Sequence, residues 1–123
     1  MPHCLLEYSQ NIPDRIKFEK LFSELHNILV KTGEFNVADM KSRAIGYDHF
    51  LIGDGKAERI FIHLEIFILE GRSREFKSQL STVAMHVLEK YFTNTLLQPE
   101  SSITVNISDL NRASYKKRIG RGP

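Results

Sequence analysis

The sequence lacks the features that would link it to a disulfide framework, a membrane or a polyanion. Cys4 is the only cysteine, so no disulfide can form within the chain and a cytoplasmic, reducing location is expected. No apolar run approaches the roughly 20 residues that a membrane-spanning helix needs. No basic stretch leads into an apolar one, so no secretory signal is expected. The formal net charge of +2 is too small to imply a polyanionic partner by itself.

Signatures of metal, phosphate and nucleophilic sites are also missing. His63 and Glu65 lie two residues apart and could touch one ion, but no third ligand has a recognisable spacing. Gly53–Gly55 precedes a predicted strand and not a helix, which indicates a hairpin turn and not a phosphate cradle. Cys4 has no evident histidine partner, so it is expected to pack within a strand. We therefore predict no metal site.

The length and composition indicate one globular domain with a charged end. The chain has 123 residues, of which 41% are hydrophobic and 26% charged. We predict a single domain over residues 1–111 and a basic C-terminal tail over residues 112–123. The cations of the tail are Arg112, Lys116, Lys117, Arg118 and Arg121. The tail is expected to be solvated; contact with nucleic acid or with a neighbouring subunit is the alternative.

The pattern of apolar residues predicts the order β-α-β, turn, β-α-β. Apolar residues recur at helical spacing from Phe18 to Leu29 and again from Phe76 to Tyr91, with Ser73 as the N-cap of the second helix. Strands are predicted at residues 3–8, at residues 40–45, in the run RIFIHLEIFILE and around Ile103–Ile107. Right-handed crossovers would place both helices on one face of a four-stranded mixed sheet. The expected fold class is therefore α+β, with two similar β-α-β units.

The other face of this sheet is predicted to need a partner. Along the third strand, one side carries only isoleucine and leucine, while the opposite side carries Phe61, His63, Glu65, Phe67 and Leu69. That second side is too apolar to be left wholly in water. RNA bases stacked on the aromatic rings, or other copies of the chain, could cover it. An RNA-recognition domain should carry glycine and aromatic residues in a set order on this strand, but here Glu65 stands at its centre and would repel phosphates.

Pro2 and three cations suggest an enzymatic site. A small second residue allows the initiator methionine to be removed, and Pro2 would then carry a free secondary amine. Lys41 and Arg43 share one face of the second strand, and Arg72 stands between the third strand and the second helix. Nearby positive charge and burial would lower the pKa of the amine towards neutrality, where a base transfers protons best. The same cations could hold an anionic substrate and stabilise an enolate oxygen.

Several segments, taken in their order along the chain, resemble the 5-carboxymethyl-2-hydroxymuconate isomerase family of the tautomerase superfamily. They are MPHCLLEYSQNI, TGEFNVADMKSRA, GDG before FIHLEIFILEGRSREFKSQL, and VNISDLN, and the likeness covers about residues 2–111. The resemblance implies a tautomerase fold assembled as a homotrimer, with the sheets turned towards neighbouring subunits. It also implies an isomerase that needs no metal and no organic cofactor, and a tautomerase-fold protein without this activity is the alternative.

The resemblance also implies roles for individual residues. Pro2 would be the general base and then the acid, moving a proton within an unsaturated, carboxylated keto-enol compound of aromatic catabolism. Arg72 would bind a substrate carboxylate. The family commonly has an arginine where this chain has Lys41, and lysine lacks the bidentate fork of arginine. Lys41 would then act as a point charge, Arg43 would replace it, or the substrate would differ.

Overall fold

The computed structural model describes all 123 residues and contains one four-stranded sheet with two helices. The strands are β1 (His3–Ser9), β2 (Lys41–Tyr47), β3 (Ile60–Leu69) and β4 (Ser101–Leu110). The helices are α1 (Phe18–Val30) and α2 (Arg74–Tyr91), and short 3₁₀ turns cover Val37–Asp39 and Thr95–Leu97. Neither helix is long and apolar enough to span a membrane.

The strands run in the order β2-β1-β3-β4, which is the order of two β-α-β units joined side by side. β1 is parallel to β2, β3 is parallel to β4, and the central pair β1 and β3 is antiparallel. The predicted α+β class with a mixed sheet is confirmed. The strand bounds differ slightly, because β2 begins at Lys41 and continues to Tyr47, beyond the predicted end at Ile45.

The core lies between the helices and one face of the sheet. Helix α1 contributes Leu21, Leu25 and Leu29, which are spaced at one helical turn and are fully buried. Strand β3 buries every second residue from Ile60 to Ile68, because alternate side chains of a strand point to opposite faces. Ser73 caps α2 as predicted, since its hydroxyl accepts the Phe76 N–H at 3.1 Å.

The other face of the sheet carries no helix. The residues of β3 that point there are only partly buried, as the pattern predicted. At its centre the Glu65 carboxylate accepts hydrogen bonds from His63 at 2.8 Å, from Asn106 at 2.7 Å and from Ser108. Burial acts to raise the pKa of Glu65, but these hydrogen bonds outweigh it and lower the pKa. This sheet face, which we call the open face, therefore combines apolar side chains with hydrogen-bonded carboxylates, because Glu7, which pairs with His63, also accepts a hydrogen bond there from the Tyr47 hydroxyl.

Asp14 joins the start of the α1 segment to the end of α2. Its carboxylate accepts the backbone N–H and the hydroxyl of the fully buried Thr95, both at 2.7 Å, and the Asn94 side-chain amide at 3.0 Å. We expect Asp14→Ala to lower the free energy of unfolding by about 1–2 kcal/mol at neutral pH, because donors of a buried residue lose their acceptor. Urea unfolding measures this. Asp48→Ala is the control, since Asp48 is exposed and makes no hydrogen bond, and it should change stability by less than about 0.5 kcal/mol.

The contribution of Asp14 should depend on pH. Burial acts to raise the pKa of Asp14, but the hydrogen bonds from Thr95 and Asn94 outweigh it and lower the pKa in the folded state. A carboxylate with a lowered folded-state pKa stabilises the fold above its unfolded pKa, near about 3.9, and loses this effect as the pH falls. The difference between wild type and Asp14→Ala should therefore shrink below about pH 4. A difference that stays constant down to acid pH would contradict this role.

Candidate active site

The sequence-predicted site residues gather at one end of the sheet. β1 and β2 begin at this end, while β3 and β4 finish there, because the central strand pair is antiparallel. Pro2 precedes β1, Lys41 begins β2, and Arg72 follows β3 by three residues. Arg112, the first residue of the basic tail, follows β4 at the same end of the sheet.

Pro2 is buried at the start of β1. Its carbonyl accepts the backbone N–H of Lys41 at 3.1 Å, which extends the pairing of β1 with β2 by one residue. Pro2 lies on the same side of the strand as Cys4 and Leu6, both fully buried against the helices. Burial raises the pKa of the Cys4 thiol to about 11, so Cys4 is a packing residue and not a thiolate nucleophile.

The amine at the beginning of the chain lies in a partly buried, positively charged environment. The Met1 amine donates a hydrogen bond to the Asp39 carbonyl at 2.8 Å. Burial and then the charge of Lys41 lower the pKa of this amine; Lys117 adds to the effect and the Asp39 carboxylate opposes it. A larger fraction of the amine is therefore uncharged at neutral pH than in a solvated chain end.

Lys41 and Arg43 lie on the open face of the sheet. They pair in register with His3 and Leu5 of β1, whose side chains point away from the helices. The Lys41 ammonium donates to the Asp39 carbonyl at 3.2 Å, and the Arg43 guanidinium lies 3.2 Å from His3 Nδ1. Because a guanidinium can only donate, His3 Nδ1 is the acceptor of that bond.

Arg72 lies towards the helices instead. Its guanidinium donates to the Leu69 carbonyl at 3.0 Å and stands over the Phe35 ring, with Cζ 5.3 Å from the ring centroid. Phe35 in turn packs against Phe76 of α2. Within one chain, Arg72 is thus separated from Lys41 and Arg43, and the three predicted cations do not line a single cleft.

The basic tail turns back towards the beginning of the chain. Tyr115 OH lies 2.9 Å from His3 Nε2, and the Lys117 ammonium pairs with the Asp39 carboxylate at 3.2 Å. The hydrogen bond from Lys117 lowers the pKa of Asp39. Most of the tail is exposed, as expected, but these two residues are in contact with the site region. The sequence reasoning missed His3 and Tyr115 because their spacing of 112 residues carries no local pattern.

No metal centre is formed at this end of the sheet or elsewhere. No group of three or more histidine, cysteine, aspartate or glutamate side chains is arranged to hold an ion. His63, the earlier candidate, is bonded on both ring nitrogens, to Glu65 at 2.8 Å and to Thr104 at 2.6 Å. The polar groups at this end of the sheet include the Met1 amine and the side chains of Lys41, Arg43 and Arg72.

Comparison with solved structures defines the class of protein. A crystal structure of a 5-carboxymethyl-2-hydroxymuconate isomerase from Deinococcus radiodurans R1 matches with a TM-score of 0.86 and 26% identity, over 97% of this chain and 90% of that one. A structure described as "Q0 fused 4-OT wild type symmetric trimer" matches with a TM-score of 0.68 at 14% identity, over 98% of this chain and 94% of that one. The predicted tautomerase fold is confirmed.

Comparison of sequences narrows the class to one family. A profile of the 5-carboxymethyl-2-hydroxymuconate isomerase family matches residues 2–119. The resemblance seen in the sequence covered about residues 2–111, so the match extends eight residues further into the tail. The 5-carboxymethyl-2-hydroxymuconate Delta-isomerase of Escherichia coli is 26% identical over 111 residues, which are 90% of this chain and 88% of that protein. The chain belongs to the 5-carboxymethyl-2-hydroxymuconate isomerase family, and the prediction that it is an isomerase is confirmed.

Proposed function

We propose that this protein moves a proton within an unsaturated, multiply carboxylated keto-enol compound, with the amine of Pro2 as the base. The proposed substrate is 5-carboxymethyl-2-hydroxymuconate, after the name of the family, in the breakdown of aromatic acids. The observation that carries the proposal is the position of Pro2, which is buried at the same end of the sheet as Arg72. The single free cysteine supports a cytoplasmic location as part of the same proposal.

The proposed reaction begins once Met1 is removed. The nitrogen of Pro2 then becomes a secondary amine, and the burial and the positive charge that lower the pKa of the Met1 amine would act on it too. The neutral amine accepts a proton from the substrate, which becomes a dienolate, and the resulting ammonium returns that proton to a different carbon. No electron is gained or lost overall, and no group leaves.

The cations have two tasks in this proposal. Arg72 binds a carboxylate, because its guanidinium is oriented by the Leu69 carbonyl and the Phe35 ring. Positive charge near the reacting carbons stabilises the oxygen that becomes negative in the dienolate. Lys41 and Arg43 are proposed to act from the open face, where a neighbouring subunit would meet them. The partly apolar character of that face supports a homotrimer.

An assay of dienols in deuterated water tests the reaction. We expect 5-carboxymethyl-2-hydroxymuconate, with three carboxylates, to be converted faster than 2-hydroxymuconate, with two. A dienol with one carboxylate should be slowest, because fewer carboxylates are paired with cations. Proton NMR would follow the new C–H or C–D bond. Failure to convert any of the three by the purified protein, with mass spectrometry showing that Met1 is absent, would contradict the proposed function.

A further inference from the structure

A cleft of about 490 Å³ opens where β3 and β4 end and α2 begins. Its walls are formed by Glu34, Gly71, Arg72, Ser73, Phe76 and Arg112. Two of these side chains are arginines, and they are far apart in the sequence: Arg72 follows β3 and Arg112 follows β4. They meet because β3 and β4 are parallel and pair in register to their last residues, Leu69 and Leu110.

Arg112 is anchored at its base and unpaired at its tip. Its backbone N–H donates to the Glu70 carboxylate at 2.7 Å, and its Nε donates to the Glu70 carbonyl at 3.0 Å. The two terminal nitrogens have no partner within the protein, and Nη2 lies 3.9 Å from the position that a Cβ on Gly71 would take. The guanidinium is therefore oriented along the wall of the cleft with donors left for a ligand.

The lining of the cleft carries more positive than negative charge. Arg72 also uses only one of its nitrogens, for the Leu69 carbonyl, so each arginine presents unpaired donors to the same space. Glu34 is the one carboxylate in the lining, and it forms no ion pair with either arginine. A ligand with two negative groups would satisfy both guanidiniums, whereas a ligand with one would satisfy only one of them.

We propose that Arg112 is a substrate-binding residue that holds a second carboxylate beside the one bound by Arg72. This inference rests on the proposed function and names Arg112 as the residue that selects for multiply carboxylated substrates. Lys41 and Arg43 cannot take this part within the same chain, because both lie on the open face and are bonded to Asp39 and His3 there. The position of Arg112 at the end of β4 makes it the second cation of the cleft.

The contacts of the tail fit this role. Beyond Arg112, the contacts of Tyr115 with His3 and of Lys117 with Asp39 fix the following residues against the beginning of the chain. The segment that carries Arg112 is thus attached on both sides, by the pairing of β4 and by these two contacts. The family match extends to residue 119 and so includes all three residues.

Binding of two unreactive probes tests this inference without turnover. trans,trans-Muconate is a diene with a carboxylate at each end, and sorbate is the same diene with a methyl group in place of one carboxylate. NMR titration would measure the affinity of the full-length protein for each. We expect Arg112→Gln to weaken muconate binding about tenfold and to change sorbate binding by less than about twofold, because only the second carboxylate loses a charged partner.

Arg118→Gln is the matched control for the loss of one tail charge. Arg118 is exposed and makes no hydrogen bond or ion pair, so this variant should bind both probes like wild type. Equal weakening of both probes in Arg112→Gln, or an unchanged preference for muconate, would overturn the inference. A wild-type protein without any preference for muconate over sorbate would overturn it as well.

The test also separates this inference from the proposed reaction. If Arg112→Gln keeps the preference for muconate while Pro2→Ala loses turnover, Arg112 is not a ligand but the proline base stands. If Arg112→Gln loses the preference for muconate over sorbate while Pro2→Ala retains full turnover, the cleft binds a second carboxylate but the base is a different group.

Discussion

Pro2→Ala should lower kcat by about a hundredfold or more, since a positioned acid-base group contributes roughly 10²–10⁴ to a rate. Alanine keeps an α-amine at the chain end after removal of Met1, but it is a primary amine that is not part of a ring. Its basicity and its direction towards the substrate therefore both change. Steady-state kinetics with the fastest dienol of the panel, at saturating concentration, would measure the effect.

The control for this variant is the same substitution at a distant proline. Pro99 is exposed and lies before β4, at the opposite end of the sheet from Pro2. Pro99→Ala should leave kcat within about twofold of wild type, because surface changes away from the site have small effects. Equal turnover of Pro2→Ala and wild type, with both chains shown to lack Met1, would mean that another group is the base.

Arg72→Ala should raise KM by about ten- to a hundredfold, the range expected when a charged hydrogen bond of about 1.5–3 kcal/mol is lost. Its effect on kcat should be smaller, because the carboxylate is bound in both the ground state and the transition state. The substitution also removes the contact with Phe35, so circular dichroism and thermal unfolding should be recorded for the same sample.

Arg74→Ala is the control for the loss of a charge at the start of α2. Arg74 follows Arg72 by two residues, and its side chain is exposed and makes no hydrogen bond or ion pair. It should retain wild-type KM to within about twofold. An Arg72→Ala protein that is folded and has the KM of the Arg74→Ala control would show that Arg72 does not bind substrate.

The fold could be predicted because local patterns determine most of it. The alternation from Ile60 to Ile68 and the helical spacing of Leu21, Leu25 and Leu29 each specify an element and the face that it buries. Two β-α-β units with right-handed crossovers leave few arrangements of four strands. The half-apolar open face also followed from the same alternation.

The site could be predicted only in part, because its geometry depends on strand ends and on distant contacts. The sequence indicated Pro2 and Arg72, but it gave no reason to separate Arg72 from Lys41 and Arg43. That separation arises because Arg72 lies beyond the end of β3, where the alternation of a strand no longer applies, and its guanidinium stands over Phe35. From the composition of the sequence, Arg112 was assigned to the basic tail. Its position in the cleft depends on the pairing of β3 with β4, which no local sequence pattern shows.

A pH titration of the Pro2 nitrogen is the most direct test of the proposed chemistry. Protein labelled with ¹⁵N-proline and purified in its mature form would be followed by ¹⁵N NMR from pH 5 to pH 10. The proposal predicts a titrating secondary amine with a pKa below the ordinary α-amino range of about 7.7–8.0. The reason is that the burial and the charges of Lys41 and Lys117, which lower the pKa of the Met1 amine, would act on the Pro2 nitrogen once Met1 is removed. A nitrogen that does not titrate, as in a chain that keeps Met1, or one with a pKa at or above that range, would contradict it.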